Sequence, residues 1–231
     1  MTTAREGAPR DRQPPTRIGL RSNRASRSGG RLLVTTDRPC VVIRHRGARD
    51  GRTGRPTVFL DRDGVLIENR GAHVRRASDV VLIPGAVDAV RRLSACRDVV
   101  IVTNQAVIER DLAPAEEILA IHRSIVDTLT AAGADLTGSV ICPHDPARRC
   151  MCRKPKPGML MAASRAWGCR LKDGWMIGDA ITDVQAGAAA GCRTMLVRTG
   201  RGAVHKGDTR RAHPDCVIAA SLSRGLDRLL T

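Results

Sequence analysis

From Pro56 onward the chain alternates between two patterns of apolar and polar positions. Short runs rich in β-branched residues read as strands: Thr57–Leu60 (TVFL), Asp98–Gln105 (DVVIVTNQ), Gly138–His144 (GSVICPH), Gly174–Ala180 (GWMIGDA), Cys192–Gly200 (CRTMLVRTG) and Cys216–Ser221 (CVIAAS). Between them lie segments of helical character. Gly85–Cys96 is amphipathic and entered through Pro84-Gly85, and Ala113–Gly133 carries Pro114 near its start and Gly133 past its end. Pro157–Trp167 reads as a third helix and the small-residue stretch Thr182–Gly191 as a fourth.

Uninterrupted apolar strands alternating with helices predict an α/β fold, a parallel sheet with helices on both faces. In that architecture ligands bind beyond the carboxyl ends of the strands. Polar residues stand at those ends: Asp61 and Asp63, Thr103 and Asn104, Cys142 and His144, Asp179 and Asp183. The pattern therefore predicts that distant segments converge on one site.

Residues 1–55 follow neither period. They hold 14 Arg against 4 acidic residues, whereas residues 56–231 share the other 25 basic and 19 acidic residues, so most of the formal charge of +16 sits in the leader. Rich in Arg, Ser, Gly and Pro, such a segment buries too little apolar surface to offset its ordering entropy, and disorder is expected. Within it, Arg31–His45 includes a short apolar patch that could form a hairpin or stay loose. The division expected is a basic leader, 1–55, and one catalytic domain, 56–231.

Composition narrows the function classes. Phe59, Trp167 and Trp175 are the only large aromatics and Tyr is absent, which argues against a stacking surface for single-stranded nucleic acid. With the domain only modestly basic, a nucleic-acid-binding protein or a polynucleotide phosphatase using the leader is disfavoured. No apolar stretch is long enough to span a membrane, and no apolar run follows the basic residues as in an export signal. A reducing cytoplasm is thus expected for the eight cysteines. The partner expected is a small phosphorylated metabolite, and the oligomeric state a monomer.

The candidate chemistry begins at FLDRDGV, which sets Asp61 and Asp63 two residues apart just past a buried strand. A carboxylate so placed can attack phosphorus and form an aspartyl-phosphate. The second can protonate the leaving oxygen and then activate water. Alone, Asp-x-Asp-Gly is also an ordinary surface turn. MIGDAITD adds Asp179 and Asp183 at another strand end. Carboxylates facing a phosphate require a hard cation between them, so Mg²⁺ is expected. Asp179 or Thr182 could instead cap the next helix, and Asp183 could either cap it or hold a metal-bound water. VTNQ brings Thr103, Asn104 and Gln105 as hydrogen-bonding groups for phosphate oxygens, and Lys154 a positive charge.

With DRDGV, TNQ, RKPKPG and GDAITD in this order, the chain resembles the haloacid dehalogenase-like phosphohydrolases. The resemblance implies a Rossmann-like fold, Asp61 as nucleophile and Asp63 as general acid/base. It further implies Mg²⁺ held by the Asp61 side chain, the Asp63 backbone carbonyl and Asp179, with Thr103, Asn104 and Lys154 gripping the phosphoryl group.

Cys142-x-His144-x5-Cys150-x-Cys152 supplies three thiolates and an imidazole, a set suited to tetrahedral Zn²⁺ with no open position. Such a metal would be structural, and it would rigidify the loop that aims Arg153 and Lys154 at the substrate. A zinc loop in place of a large cap domain resembles two related groups, the D-glycero-D-manno-heptose 1,7-bisphosphate 7-phosphatases and the histidinol-phosphatases. FLDRDGV, CRKPKPGML and AGAAAGCRTMLVRTG favour the first. The spacing between His144 and Cys150 is nearer the second, and Ala180 stands where heptose enzymes often have Lys.

Overall fold

The computed structural model describes residues 40–45, 54–71 and 73–230. They form a seven-stranded sheet built from β1 (Val41–Arg44), β2 (Pro56–Leu60), β3 (Asp98–Asn104), β4 (Gly138–Cys142), β5 (Arg170–Gly178), β6 (Arg193–Val197) and β7 (Val217–Ala219). The helices are α1 (Ala86–Cys96), α2 (Ala115–Ala131), α3 (Gly158–Trp167), α4 (Ile181–Ala189), α5 (Gly202–Ala212) and α6 (Leu226–Leu230). The sheet order is β1-β4-β3-β2-β5-β6-β7, with β2 to β7 parallel and β1 antiparallel at the edge.

The strands are apolar on both sides because both sides are covered. Val58 and Leu60 of β2 join Val99 and Ile101 of β3 in one core with α1, α2 and α6, through Leu93, Ile118, Ile125 and Leu229. The alternate residues Phe59, Val100 and Val102 join a second core under α3, with Met159, Leu160 and Trp167. This is the two-residue period of a strand dividing its side chains between two helical layers. Full burial of Phe59 alone is worth about 1.5–3 kcal/mol.

The chain runs outward from β2 through β3 and β4, then crosses back to β5 and runs outward the other way. The crevice of such a sheet opens where the order reverses, here at the ends of β2 and β5. Asp61 N–H donates to Ile177 O at 2.9 Å, fixing Asp61 as the first residue beyond the ladder. No separate cap domain exists among the described residues; β3 and α2 are joined by a short loop.

Three elements differ from the sequence pattern. Helix α5 is not foreshadowed because its buried residues are only Gly202 and Thr209, so it carries no apolar stripe, and α6, with five residues, is too short to show a helical period. The strand β1 lies inside the segment grouped with the leader, where Val42 packs into the α3-side core and the register pairs Val41 with Ile141. The sheet thus takes in residues before Pro56, with all four residues of β1 paired antiparallel along Gly138–Ile141. The rest of the leader, to Pro39 and from Arg46 to Thr53, lies outside the described residues.

Candidate active site

Asp61, Asp63, Thr103, Asn104, Gln105, Arg153, Lys154, Asp179 and Asp183 all line one cavity of about 350 Å³ at the carboxyl ends of the strands. Lys154 is its electrostatic centre. Its Nζ lies 2.9 Å from Asp61 Oδ1 and 2.6 Å from Asp183 Oδ1, and donates to Val102 O at 3.1 Å. Burial would lower the Lys154 pKa, but the Asp183 and Asp61 carboxylates override it and hold the ammonium charged.

One lysine does not balance the carboxylates. Asp61, Asp179 and Asp183 each offer an oxygen, all within 4.8 Å of one another. Burial pushes the Asp61 carboxyl up to about 7, against the pull of Lys154 and with further upward pressure from Asp183 and Asp63. Burial, then the Asp61 charge, raises Asp179 to about 6. Burial likewise raises Asp183. Three oxygen donors that resist ionising together are a fit for a small hard cation such as Mg²⁺.

Local structure explains each position. Gly64 turns the chain away with φ +83°, and a Cβ there would stand 2.2 Å from Asp179 Oδ2, so only glycine allows the approach. Helix α4 has Ala180 at its N-cap, so neither Asp179 nor Thr182 caps it. Asp183, in the first turn, reaches back to accept from Ala180 N–H at 3.0 Å with Oδ2 while Oδ1 faces Lys154. It therefore caps the helix and belongs to the carboxylate cluster at once.

Asp63 is held from behind. The Arg62 guanidinium grips it with Nε to Oδ2 and Nη2 to Oδ1, each at 3.1 Å, and Gln105 Nε2 donates to Oδ2 at 2.9 Å. Gln105 also donates to Thr103 Oγ1 at 2.8 Å. Asn104 exchanges two hydrogen bonds with the Lys154 backbone, at 3.2 and 3.3 Å. In this arrangement Asn104 positions the lysine, and Gln105 positions Asp63. Arg153 donates to His144 O at 2.9 Å, tying the rim of the cavity to the cysteine loop.

That loop brings Cys142, His144, Cys150 and Cys152 together. Their donor atoms are 3.3–3.7 Å apart in the pairs Cys142–Cys152, His144–Cys152, Cys150–Cys152, Cys142–His144 and Cys142–Cys150. Metal bonds of about 2.0–2.3 Å to a tetrahedral zinc give donor separations of roughly 3.3–3.8 Å, so the donors stand where zinc would need them. The hydrogen bond between Cys142 and Cys152 lowers the first thiol to about 5 and raises the second. That is one proton contested by crowded sulfurs, a contest that a cation removes.

Several lining residues carry no motif. Asn69 Nδ2 and Arg201 N–H both donate to Asp179 Oδ2, the latter at 2.8 Å, and Thr199 Oγ1 donates to Gly64 O at 2.6 Å. The segment Thr199–Arg201 follows β6, so extending the strand-end rule to that strand would have found it. Gly200 has φ +57° and packs its Cα against the Asp179 carboxylate, which a Cβ would meet at 2.3 Å. Arg70, His73 and Arg110 line the outer cavity.

The chain resembles known proteins in sequence and fold. A family model described as "HAD-hyrolase-like" matches residues 151–224. The D-glycero-beta-D-manno-heptose-1,7-bisphosphate 7-phosphatase of Pseudomonas putida is 38% identical over 146 residues, covering 63% of this chain and 83% of that protein. The D-glycero-D-manno-heptose-1,7-bisphosphate 7-phosphatase of Thermosynechococcus vestitus is 36% identical over 190 residues, covering 77% and 96%. The chain belongs to the haloacid dehalogenase-like phosphatases. Its sheet matches that of other members: the crystal structure of the D,D-heptose 1,7-bisphosphate phosphatase of B. bronchiseptica, complexed with magnesium and phosphate, superposes with a TM-score of 0.71. That structure is 32% identical and covers 76% of this phosphatase and 98% of its own chain.

Proposed function

We propose that this haloacid dehalogenase-like phosphatase uses Mg²⁺ to remove the 7-phosphate of D-glycero-D-manno-heptose 1,7-bisphosphate. The observation that carries the reading is the meeting of Asp61, Asp179, Asp183 and Lys154 in one small cavity. Relatives named for that activity support the choice of substrate.

In this reading an Asp61 carboxylate oxygen attacks phosphorus. The phosphorus–ester oxygen bond breaks, and the leaving alkoxide takes a proton from Asp63. Asp63 then takes a proton from water, whose oxygen attacks the aspartyl-phosphate; the Asp61–phosphorus bond breaks and inorganic phosphate leaves. Lys154 Nζ and the Arg62 backbone N–H, 2.9 and 2.8 Å from Asp61 Oδ1, hold the carboxylate in place for attack. Asp61, Asp179 and the Asp63 carbonyl would hold Mg²⁺, whose charge offsets that of the phosphoryl oxygens. Zinc in the Cys142–Cys152 loop would fix Lys154 through the adjoining chain.

A bisphosphate needs a second anion site, and Arg70 and Arg201, which line the cavity, would supply charge for it, with Arg110 beside them paired to Asp145. The site residues and both metals belong to this proposal, as does a monomer acting in the cytoplasm on a small phosphorylated metabolite. No disulfide joins any of the eight cysteines, all of which lie in the described residues, as a reducing compartment would leave them. No helix of the described residues is long and apolar enough to cross a membrane. The spacing between His144 and Cys150 favours a second substrate, histidinol phosphate. Parallel turnover assays on both anomers of heptose 1,7-bisphosphate and on histidinol phosphate decide between them. Faster turnover of one heptose anomer is expected; comparable slow rates on all three would remove the heptose assignment.

A further inference from the structure

The cysteine loop has a neighbour that its sequence motif does not contain. Cys40 immediately precedes β1, and β1 runs antiparallel to β4 with Val41 opposite Ile141 and Val42 opposite Val140. The next pair in that register is Cys40 and Cys142. Opposed side chains in an antiparallel pair project to the same face, about 4.5–5.5 Å apart at Cβ. Cys40, Cys142 and Cys152 are accordingly buried in one cluster, with Cys40 only 5% exposed. The Cys40 thiol is in hydrogen-bonding contact with Cys152.

Cys40 is not a member of the compact donor set, which among the described residues comprises Cys142, His144, Cys150 and Cys152. Those four already complete a tetrahedron. A buried thiolate on a metal carries charge that its surroundings must stabilise, and an S–H aimed at it does so without displacing a ligand.

We propose that Cys40 is part of the zinc site as an outer sulfur: its S–H donates to the metal-bound Cys152 thiolate and ties strand β1 to the metal. The proposal rests on the zinc reading of the loop. It makes metal binding and the docking of β1 linked events, because the strand that completes the sheet edge also completes the shell around the zinc. By linkage, what strengthens one strengthens the other.

The test uses the full-length zinc-loaded protein and a chromophoric chelator as competitor, comparing wild type with Cys40→Ala, Cys40→Ser and, as control, Cys96→Ala, which alters an exposed cysteine. Wild type and the control are expected to hold about one zinc per chain with equal affinity. Cys40→Ala should bind zinc about 10-fold more weakly, and Cys40→Ser, which keeps a donor, should fall between. Should Cys40→Ala fail to fold, the serine variant and a second readout remain: backbone amides of Val41–Arg44 in the wild type should lose hydrogen-exchange protection when zinc is stripped. Zinc affinity in the Cys40 variants within about twofold of wild type, or β1 protection unchanged by zinc removal, overturns the proposal while leaving the zinc. A wild type that binds no zinc removes the zinc reading and the proposal together.

Discussion

Lys154 and Asp183 form an ion pair of 2.6 Å in which both side chains are sealed from solvent, at 2% and 1% exposure. They come from different halves of the sheet, the lysine from the loop after β4 and the aspartate from the first turn of α4. Their pairing locks the two halves across the crevice where Asp61 stands. Lys154→Met would leave Asp61 and Asp183 without their buried counter-charge. Breaking such a pair costs about 3–5 kcal/mol, and loss of the charge that holds the Asp61 carboxylate is expected to cost about 10²–10³ in kcat. Denaturant unfolding and steady-state turnover measure the two separately. Mg²⁺ should recover part of the stability and little of the turnover.

The same crowding of carboxylates predicts a pH dependence. Asp61 and Asp179 are held near 7 and 6, above the value of 3.8 for an unstrained aspartate. The folded protein therefore binds protons more tightly than the unfolded chain does. In metal-free protein this contribution to stability is present below about pH 4 and lost as pH rises through about 7. Protons and Mg²⁺ compete for the same oxygens, so the stabilisation given by saturating Mg²⁺ should grow across that interval. Thermal unfolding between pH 5 and 8 with and without Mg²⁺ checks this; a gain independent of pH would place the cation elsewhere.

Gly64→Ala tests the closeness of the nucleophile loop to Asp179. The added Cβ would stand 2.2 Å from Asp179 Oδ2 at a φ of +83°. Strain of about 1–3 kcal/mol is expected from the backbone, together with displacement of the Asp179 carboxylate and, on the proposed Mg²⁺ site, a raised Mg²⁺ requirement. An unchanged Mg²⁺ dependence of turnover would show that the Asp179 carboxylate is not needed where it stands.

The cysteine loop predicts that a zinc chelator lowers stability and turnover together, since Lys154 follows Cys152 by two residues. Metal analysis should return about one zinc per chain. Cys150→Ser should reduce zinc content and raise KM or lower kcat without touching a group in the cavity. An apo protein of equal stability would contradict a structural role for the metal.

Much of this was legible in the sequence because the informative residues are the ones that end strands. An apolar run that stops in Asp61, Asn104, Cys142 or Gly178-Asp179 reports both the strand and the site, since a parallel sheet points all such ends one way. Asn69 was not legible, because it sits in an irregular loop, and Arg201 was legible only by its place after β6, because it acts on Asp179 through its backbone N–H, which no side-chain pattern encodes. Asn104 and Gln105 were legible as polar groups at the site but not in their duties. Whether an amide faces a ligand or holds Lys154 and Asp63 depends on the turn that follows, and the residue type is the same for both. The edge strand β1 was ambiguous because four residues carry too short a period to separate a strand from a loose apolar patch.

The most direct test of the account is acid-quenched mass spectrometry of the enzyme during turnover of heptose 1,7-bisphosphate with Mg²⁺. The account predicts one phosphoryl group on the peptide containing Asp61, removed by hydroxylamine as an acyl phosphate must be, and absent from folded Asp61→Asn, which releases no phosphate. Phosphate release by Asp61→Asn at the wild-type rate, or a phosphoryl group trapped on another residue, would contradict it.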